Sequence, residues 1–314
     1  MQHRMRAPSY SVRDQMILVV LLAVVITVFF ASDCFAGLLS DSKKLKTPSR
    51  WKVTQWGSSD DVQKTFYTIV SSTGKLAVID GGWEQDADLV RSVIRSLGND
   101  VSAWIITHPH PDHVGAFNAI LSDNYTGIRI RRIYTVNVNR GRYAATARSY
   151  DDFSTYETFS SLTRAAGNLV FLRENDVFDL IGLKCKVLNA WDSYVDRQSV
   201  NLCNNGSLVF RISGKKKSML FCSDVQTAME KRLLKRHKKE LPSTYVQCAH
   251  HGNWALSSKF YRYVKPAGAF IDAPPFITED TTGYYTAPSL IRYFQSKGIK
   301  VFSLSGKEHT VTLR

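Results

Sequence analysis

The amino-acid sequence predicts an α/β (α+β) fold in which two β-sheets pack face to face and helices cover their outer surfaces. In both halves of the chain, short strands separated by turns come first, and strands mixed with helices follow. The 314 residues, 44% of them hydrophobic and 22% charged, are enough to bury a large core without disulfides. A four-layer helix–sheet–sheet–helix sandwich accommodates this order.

Each element follows from a local pattern. In the first half, we expect strands at 51–56, 65–71, 76–79, 103–107, 128–138, 169–172 and 183–188, and helices at about 84–97, 112–121 and 149–166. In the second half, strands at 207–212 and 218–222 flank a turn at Gly214, and a helix follows at 225–239. A strand at 244–249 precedes a closing series of strand 269–271, helix 288–296 and strands 301–304 and 308–313.

The N-terminal segment differs in composition from the rest of the chain. Arg4, Arg6 and Arg13 precede an uninterrupted apolar run at 16–30, and small residues lead to Ala36. This layout is typical of a secretory signal peptide, although an uncleaved signal-anchor that holds the protein in the membrane fits as well. We therefore expect a signal peptide or signal-anchor at 1–36, a linker at 37–50 and one domain at 51–314. That domain would lie outside the cytoplasmic membrane, either secreted or anchored.

The formal net charge of +14 has local sources, the run Lys215–Lys217 and the stretch 231–239. Such charge can attract an anionic partner, nucleic acid or a cell-wall polymer, but charge alone slightly favours a solvated basic face that confers solubility. No obligate protein partner is evident. Apart from Cys34, the four cysteines could form disulfides or act as buried apolar residues, and no C-x-x-C spacing indicates a structural zinc.

The strongest chemical pattern is a loop that follows the apolar strand at 103–107. It contains His108, His110, Asp112 and His113, and two prolines stiffen it. Neutral imidazoles and carboxylates are good ligands for Zn²⁺ and related ions. Because ligands alternate along an extended loop, His108 and His110 can face one metal while Asp112 and His113 face another.

Three further strand ends supply matching groups. Asp224 follows one apolar strand, and His250 and His251 follow another. Asp80 ends a third strand, where a carboxylate can orient a metal-binding histidine. Taken singly, these residues are typical of helix caps and surface turns, but together with the histidine loop they predict a metal centre.

These motifs resemble the metallo-β-lactamase superfamily. The resemblance rests on V-I-D-G-G ending at Gly82, T-H-P-H-P-D-H-V-G at 107–115, Asp224, and H-H-G at 250–252, and it covers essentially residues 50–314. Within that superfamily, the chain is most similar to the hydrolase domain of the DNA-uptake channel protein ComEC and its free-standing relatives. N-N-G-S-L-V-F at 204–210, L-F-C-S-D at 220–224 and A-H-H-G-N at 249–253 carry this closer likeness.

The resemblance implies an αββα metallo-β-lactamase sandwich with two divalent metal ions, Zn²⁺ first and Mn²⁺ as the alternative. It implies that Asp224 bridges the metals and that one of His250 and His251 completes the second site, with His250 favoured because it ends the strand. Asp112 and His110 are the expected catalytic residues. Asn205 and Ser207 are expected to contact substrate.

The sequence also departs from the superfamily pattern. The first metal usually receives another histidine before the bridging aspartate, but no histidine occurs between His113 and His237. Ser223 stands where the subgroup commonly has glycine, and the segment 284–288 lacks a histidine that the subgroup often carries. The first metal would then be short of a ligand, with water or substrate filling the gap.

A metal pair of this kind suits in-line attack on a phosphodiester. The predicted function is hydrolysis of a phosphodiester or related ester in an anionic substrate such as DNA. The alternatives are hydrolysis of a choline phosphodiester or other ester at the cell wall, and a non-catalytic polyanion-binding protein with a degenerate metal site. A true β-lactamase is disfavoured, since the fold supports many chemistries.

Overall fold

Two β-sheets form the centre of the protein in the computed structural model, which describes residues 47–57, 61–123, 127–304 and 306–314. The unit Pro48–Arg314 contains both sheets. The predicted signal segment and most of the predicted linker lie outside the described residues. Among the described residues, no helix combines the length and the apolar character that a membrane crossing requires.

The strands are short and closely follow the predicted apolar segments. In chain order they are β1 (Trp51–Gln55), β2 (Phe66–Ser71), β3 (Leu76–Asp80), β4 (Asp100–Ile105), β5 (Arg129–Ile130), β6 (Ile133–Val136), β7 (Leu169–Leu172), β8 (Val177–Leu180), β9 (Leu183–Asn189), β10 (Val209–Ser213), β11 (Ser218–Phe221), β12 (Tyr245–Gln247), β13 (Gly268–Ile271), β14 (Lys300–Ser303) and β15 (His309–Leu313).

The helices connect these strands. They are α1 (Ala87–Ser96), α2 (Pro111–Ser122), α3 (Arg140–Thr146), α4 (Phe153–Ala166), α5 (Ser193–Asp196), α6 (Leu202–Asn205), α7 (Thr227–His237), α8 (Ser258–Val264), α9 (Pro275–Thr278) and α10 (Ala287–Ser296). Single 3₁₀ turns occur at Glu84–Asp86, Ser149–Asp151 and Ala249–Gly252.

Each sheet has an antiparallel half and a parallel half. The first runs β15-β1-β2-β3-β4-β6-β7, with β5 beside β4, and the second runs β14-β13-β12-β11-β10-β9-β8. Parallel pairing begins at β3 with β4 in the first sheet and at β11 with β12 in the second. The carboxyl ends of these central strands carry the candidate site.

Two apolar layers hold the sandwich together. In β3, Ala77 and Ile79 join the core between the sheets, while Leu76 and Val78 join a second core with Trp104 and the helices over the first sheet. This alternation is what a strand buried on both faces requires. The Tyr67 ring meets the Phe221 ring edge-on, with centroids 5.3 Å apart, and so joins the two sheets.

The predicted fold class, an αββα metallo-β-lactamase sandwich, is confirmed by this architecture. The expected strand at 128–138 is instead two short strands, β5 and β6, and the Arg131 side chain between them pairs with Asp100. β8 and the helices α3, α5, α6, α8 and α9 were not predicted. The four described cysteines are buried free thiols.

Candidate metal centre

The candidate site lies where neighbouring strands of both sheets end. Asp80 ends β3, the histidine loop follows β4, Asp224 follows β11, and His251 follows β12. Asp80, Ser223, His250 and His251 all have positive φ values, between 48° and 56°, which L-residues adopt at a cost. The backbone turns sharply at each of these strand ends, and the turns bring the side chains together.

Asp80 lies beneath the histidine loop and fixes its geometry. Its carboxylate accepts hydrogen bonds from the Thr107 backbone N–H at 2.7 Å, the Thr107 hydroxyl at 2.8 Å and His113 Nδ1 at 2.8 Å. Because His113 Nδ1 donates its proton to Asp80, His113 Nε2 keeps a free lone pair. This is the usual way in which a carboxylate orients a metal-binding imidazole.

One group of potential ligands contains Asp112, His113 and His251, whose ligand atoms lie within 4.8 Å of one another. Asp224 joins it, since its carboxylate oxygens lie 3.3 Å from His113 Nε2 and 3.4 Å from His251 Nε2. The other ring nitrogen of His251 donates to the Asp272 carbonyl at 2.9 Å, which leaves Nε2 free. These side chains match a divalent site of two imidazoles and two carboxylates.

The geometry corrects the preference for His250. His251 points into the cluster, whereas His250 Nδ1 donates to the Asn253 carbonyl at 2.6 Å and forms part of the turn. The positive φ values of both histidines rotate the chain beyond the end of β12, so the second residue after Ala249 faces inward. Alternation from the strand, on which the preference for His250 rested, does not continue through such a turn.

A second group contains His108, His110 and Cys203, whose ligand atoms also lie within 4.8 Å of one another. His110 Nε2 donates to Asp151 at 2.9 Å, so its Nδ1 is the nitrogen available to a cation. His108 also belongs to a third group with His113 and Asp224. Asp224 is thereby shared between the two sides of the centre, where the sequence places a bridging ligand.

Within the described part of the chain, four buried polar atoms of this cluster have no hydrogen-bond partner: His108 Nε2, His113 Nε2, His251 Nε2 and Asp224 Oδ1. Leaving such a group unpaired costs about 1–3 kcal/mol each, so their concentration in one place needs a ligand. Lone pairs of imidazole and carboxylate are suited to a divalent cation. The residues present therefore fit the metal pair that the fold implies.

Charge supports the same interpretation. Burial alone would raise the pKa of Asp112 and of Asp224, but the adjacent His113 and His251 hold both below the usual value. Burial lowers the pKa of His108 well below its usual value, so its ring is neutral. Burial also lowers the pKa of His251, but Asp224 and Asp112 outweigh it and raise that pKa to about 10. The carboxylates are anionic, and without a metal they favour a proton on His113 and on His251, which a divalent cation bound at Nε2 would displace.

Asn205 and Ser207 lie beside the turn that carries Asp224. Both are buried, and the Ser207 hydroxyl accepts from the Asp224 backbone N–H at 3.2 Å. The Asn205 side-chain oxygen accepts from the Gln226 N–H at 3.1 Å, and its amide donates to Gln198 at 2.7 Å. Both side chains therefore position the turn that carries Asp224, and the substrate contact expected of them stays a prediction.

Sequence reasoning missed Cys203, Asp151 and Asp272. Asp272 is fully buried and accepts from Tyr67 at 2.5 Å, Gln55 at 2.6 Å and Gln247 at 3.0 Å, and its carbonyl holds His251. It directly follows β13, so an aspartate after an apolar strand was an available clue. Asp151 and Cys203 had no such clue, because neither follows a strand.

An aromatic patch lies next to the loop that carries His251. It consists of Trp254, Phe276, Tyr284 and Tyr285, and the first three are exposed. The Trp254 ring centroid lies 5.3 Å from that of Tyr284 and 5.5 Å from that of Tyr285. Asn253 ties the patch to the site loop, since its side-chain oxygen accepts from the Thr286 N–H at 2.7 Å.

The basic stretches lie at the other end of the second sheet. Lys215 and Lys216 form the β10–β11 turn, and β11 runs from that turn toward Asp224, a path of roughly 13 Å or more at about 3.3 Å per residue. α7 also starts near Asp224, and its basic residues cluster at its far end. These charges do not line the cluster of histidines.

Comparison with known proteins bears on the fold and on the part of the chain that holds the histidine loop. Residues 60–156, which include the histidine loop, match the family model described as metallo-beta-lactamase superfamily. No curated protein matches the chain. Among solved structures, CmlA, a diiron β-hydroxylase from Streptomyces venezuelae, aligns with a TM-score of 0.52 and 12% identity over 83% of this chain. The aligned region is 54% of CmlA, so this chain spans about half of that protein's length.

Two smaller proteins align over nearly their whole length. The metallo-beta-lactamase fold protein YhfI from Bacillus subtilis has a TM-score of 0.49 at 10% identity, covering 83% of this chain and 99% of YhfI. A diphosphatase of the PhnP family has a TM-score of 0.46 at 13% identity, covering 84% of this chain and 98% of that protein. The fold is that of a metallo-β-lactamase sandwich, and the match to the family model covers residues 60–156 of the chain.

Proposed function

We propose that this chain is a metal-dependent hydrolase with a dinuclear centre, acting on a phosphodiester or related ester of an anionic substrate such as DNA. The observation that carries this proposal is the convergence of unpaired lone pairs on His108, His113, His251 and Asp224. His108 and His110 would hold the first ion, and Asp112, His113 and His251 the second, with Asp224 between them. When bound, such a pair polarises a phosphoryl oxygen and makes water acidic enough to attack near neutral pH.

Asp112 is the residue best placed to handle the proton. Its Oδ2 lies 3.0 Å from His251 Nε2 and 3.3 Å from the Gln63 amide, and neighbouring positive charge keeps its carboxylate anionic. It therefore orients the attacking water and accepts its proton. Asp151 and Asp80 hold the His110 and His113 rings, so the geometry does not depend on substrate.

The test uses the full-length protein purified in detergent. Bound metal is measured by elemental analysis, and hydrolysis of bis(p-nitrophenyl) phosphate is followed with added Zn²⁺ or Mn²⁺. We expect about two metals per chain and an activity that the double variant Asp112→Ala, His110→Ala abolishes. Asp88→Asn is the control, because Asp88 lies in α1, is almost fully exposed and belongs to none of the groups of potential ligands in the described residues. Metal binding without hydrolysis of any phosphodiester would refute the enzymatic proposal.

The aromatic patch favours a substrate with flat rings or a quaternary ammonium group. Nucleobases stack on aromatic side chains at about 1–3 kcal/mol per base, and choline binds aromatic faces through cation–π contacts. Choline-phosphodiester hydrolysis at the cell wall is therefore the second candidate. Trp254→Ala should raise the KM for the true substrate. DNA, RNA and p-nitrophenyl phosphorylcholine, assayed in parallel, separate the two.

A long anionic polymer bound at the metal centre would also reach the basic stretches at the other end of the second sheet. For a long polyanion, Lys215→Gln with Lys216→Gln should weaken binding and reduce its salt dependence, while hydrolysis of a small diester stays unchanged. Equal effects on both substrates would contradict a role in polymer binding. If the protein binds nucleic acid but neither metal nor diester, the non-catalytic polyanion-binding alternative replaces the enzyme.

We also propose that the domain acts outside the cytoplasmic membrane, secreted or anchored by its N-terminal segment. The support is the charged and apolar pattern at 1–36. Cell fractionation with protease accessibility tests this, and a domain that is protected inside intact spheroplasts would contradict it.

A further inference from the structure

The first metal position lacks the histidine that the superfamily usually supplies, and a thiol stands beside it. We propose that Cys203 is the third protein ligand of this position, giving a site of two imidazoles and one thiolate. This inference rests on the proposed metal-dependent function. It assigns a residue that the sequence motifs do not contain, and it accounts for how a chain with no histidine between His113 and His237 could complete the site.

Convergence of three ligand atoms is the first support. Cys203 Sγ and one ring nitrogen each of His108 and His110 lie within 4.8 Å of one another, and all three residues are buried. A tetrahedral zinc ion with bonds of about 2.0–2.3 Å separates its ligand atoms by roughly 3.3–3.8 Å. Small side-chain movements are enough to bring the three atoms onto one ion.

The unpaired lone pair of His108 is the second and independent support. His108 Nε2 is fully buried and has no hydrogen-bond partner in the described part of the chain. The opposite nitrogen, Nδ1, lies 3.2 Å from the Thr107 hydroxyl and 3.4 Å from the Ser223 hydroxyl. Since His110 Nε2 is held by Asp151, Nδ1 is the nitrogen of His110 left for a cation, and one ring nitrogen of each histidine lies within 4.8 Å of the thiol.

The backbone holds Cys203 in place. It lies in the short helix α6, whose Asn205 carbonyl accepts from the Asn189 side-chain amide at 3.0 Å. The adjacent Gly206 packs against the Trp191 ring so closely that an added Cβ would lie 2.5 Å from a ring carbon. α6 is therefore fixed against the end of β9, and the thiol is preorganised toward His108 and His110.

The other described cysteines have different surroundings. Cys185, Cys222 and Cys248 are buried, burial raises the pKa of each thiol, and none of them belongs to a group of potential ligands. They serve as small apolar residues. Cys203 is the one described cysteine that shares its surroundings with two histidines.

A thiolate ligand has a consequence for metal choice. Thiolates with imidazoles select Zn²⁺ over Mn²⁺, which prefers oxygen ligands. The first position should therefore prefer zinc, and replacing the thiol should reduce that preference.

The experiment reconstitutes the full-length protein with Co²⁺ and records the near-ultraviolet spectrum together with metal stoichiometry. We expect a thiolate-to-cobalt charge-transfer band in the wild type. Cys203→Ala should lose the band and about one of the two ions, and Cys203→His should keep both ions without the band. Cys185→Ala is the matched control and should keep both ions and the band. Zn²⁺ against Mn²⁺ competition should show weaker discrimination in Cys203→His.

The outcomes separate this inference from the proposed function. Two bound ions without a thiolate band, or a band that survives in Cys203→Ala, would overturn the assignment of Cys203 and leave the hydrolase proposal intact. Failure of the wild type to bind any metal would overturn both. If Cys203→Ala does not fold, the contrast between the wild type and Cys203→His decides.

Discussion

Asp80→Asn separates the role of a carboxylate that orients a ligand from the role of the ligand itself. Asp80 is buried, and its two oxygens accept three hydrogen bonds, from the Thr107 N–H, the Thr107 hydroxyl and His113 Nδ1. Asparagine keeps the shape and tolerates the positive φ of 52°. The substitution removes only the ability of one of the two side-chain oxygens to accept a hydrogen bond.

The expected loss of metal affinity follows from which groups donate hydrogen bonds in the variant. If the asparagine oxygen keeps the Thr107 N–H, its NH₂ group faces His113 Nδ1 and donates to it. His113 must then carry its proton on Nε2, the nitrogen that lies 3.3 Å from Asp224 and faces the metal position. Loss of such orienting contacts typically lowers metal affinity by about 10–100-fold, which is about 1.4–2.7 kcal/mol.

The assay is a competition titration of Zn²⁺ against a chromophoric chelator, with thermal unfolding measured on the same samples. Asp88→Asn, an exposed position, controls for the change in charge. Wild-type affinity in a folded Asp80→Asn variant would show that the orientation of His113 does not depend on Asp80 and would refute the reasoning.

Three further predictions concern ligand choice, packing and pH. His251→Ala should lose one metal ion per chain, whereas His250→Ala should keep the wild-type stoichiometry by elemental analysis; the opposite result would restore the assignment of His250. Gly115→Ala should lower the free energy of unfolding, measured by urea denaturation, by about 1–3 kcal/mol. The added Cβ would lie 2.4 Å from the Glu84 backbone nitrogen. Gly141→Ala, the control at an open helix position, should be neutral or stabilising. Burial raises the pKa of Glu174, but hydrogen bonds from His237 and two arginines lower it overall. The ionised Glu174 side chain therefore stabilises the folded protein above the unfolded-state pKa of about 4.3. This stabilisation is lost as the pH falls through the lower folded-state pKa. Glu174→Gln should therefore cost about 1–3 kcal/mol at neutral pH and progressively less in acid, and a loss independent of pH would argue against ionic stabilisation.

The positions of most strands along the chain and of the histidine loop could be predicted because each depends on a short stretch of sequence. The apolar runs of β3, β4, β11 and β12 each end in a polar residue, and strand ends in a parallel region meet at one edge. Short helices such as α6 and α8 were not predictable, since their few residues give no apolar period. Their positions depend on tertiary packing, such as that of Gly206 on Trp191.

Two features of the site could not be predicted from the sequence. Whether His250 or His251 faces inward depends on two consecutive positive φ values, and neither residue is a glycine that would have indicated them. Ser223, where the subgroup commonly has glycine, also has a positive φ of 48°, which explains the usual glycine at that place. The position of Cys203 beside His108 joins segments 95 residues apart in the chain, a contact that no local spacing encodes.

The energetic cost of the site bears on whether the protein has lost metal binding. Four L-residues in left-handed conformations cost of order 1–3 kcal/mol each, and the unpaired buried lone pairs add a similar amount for each atom. A fold that is marginally stable by about 5–15 kcal/mol retains such a cluster only if the rest of the structure, or a ligand that binds the native state alone, offsets it. In a degenerate binding protein, glycine at Ser223 or an apolar residue at His113 would relieve the cost without loss. The intact set of imidazoles and carboxylates, oriented by Asp80, Asp151 and the Asp272 carbonyl, therefore favours a protein whose native state includes metal.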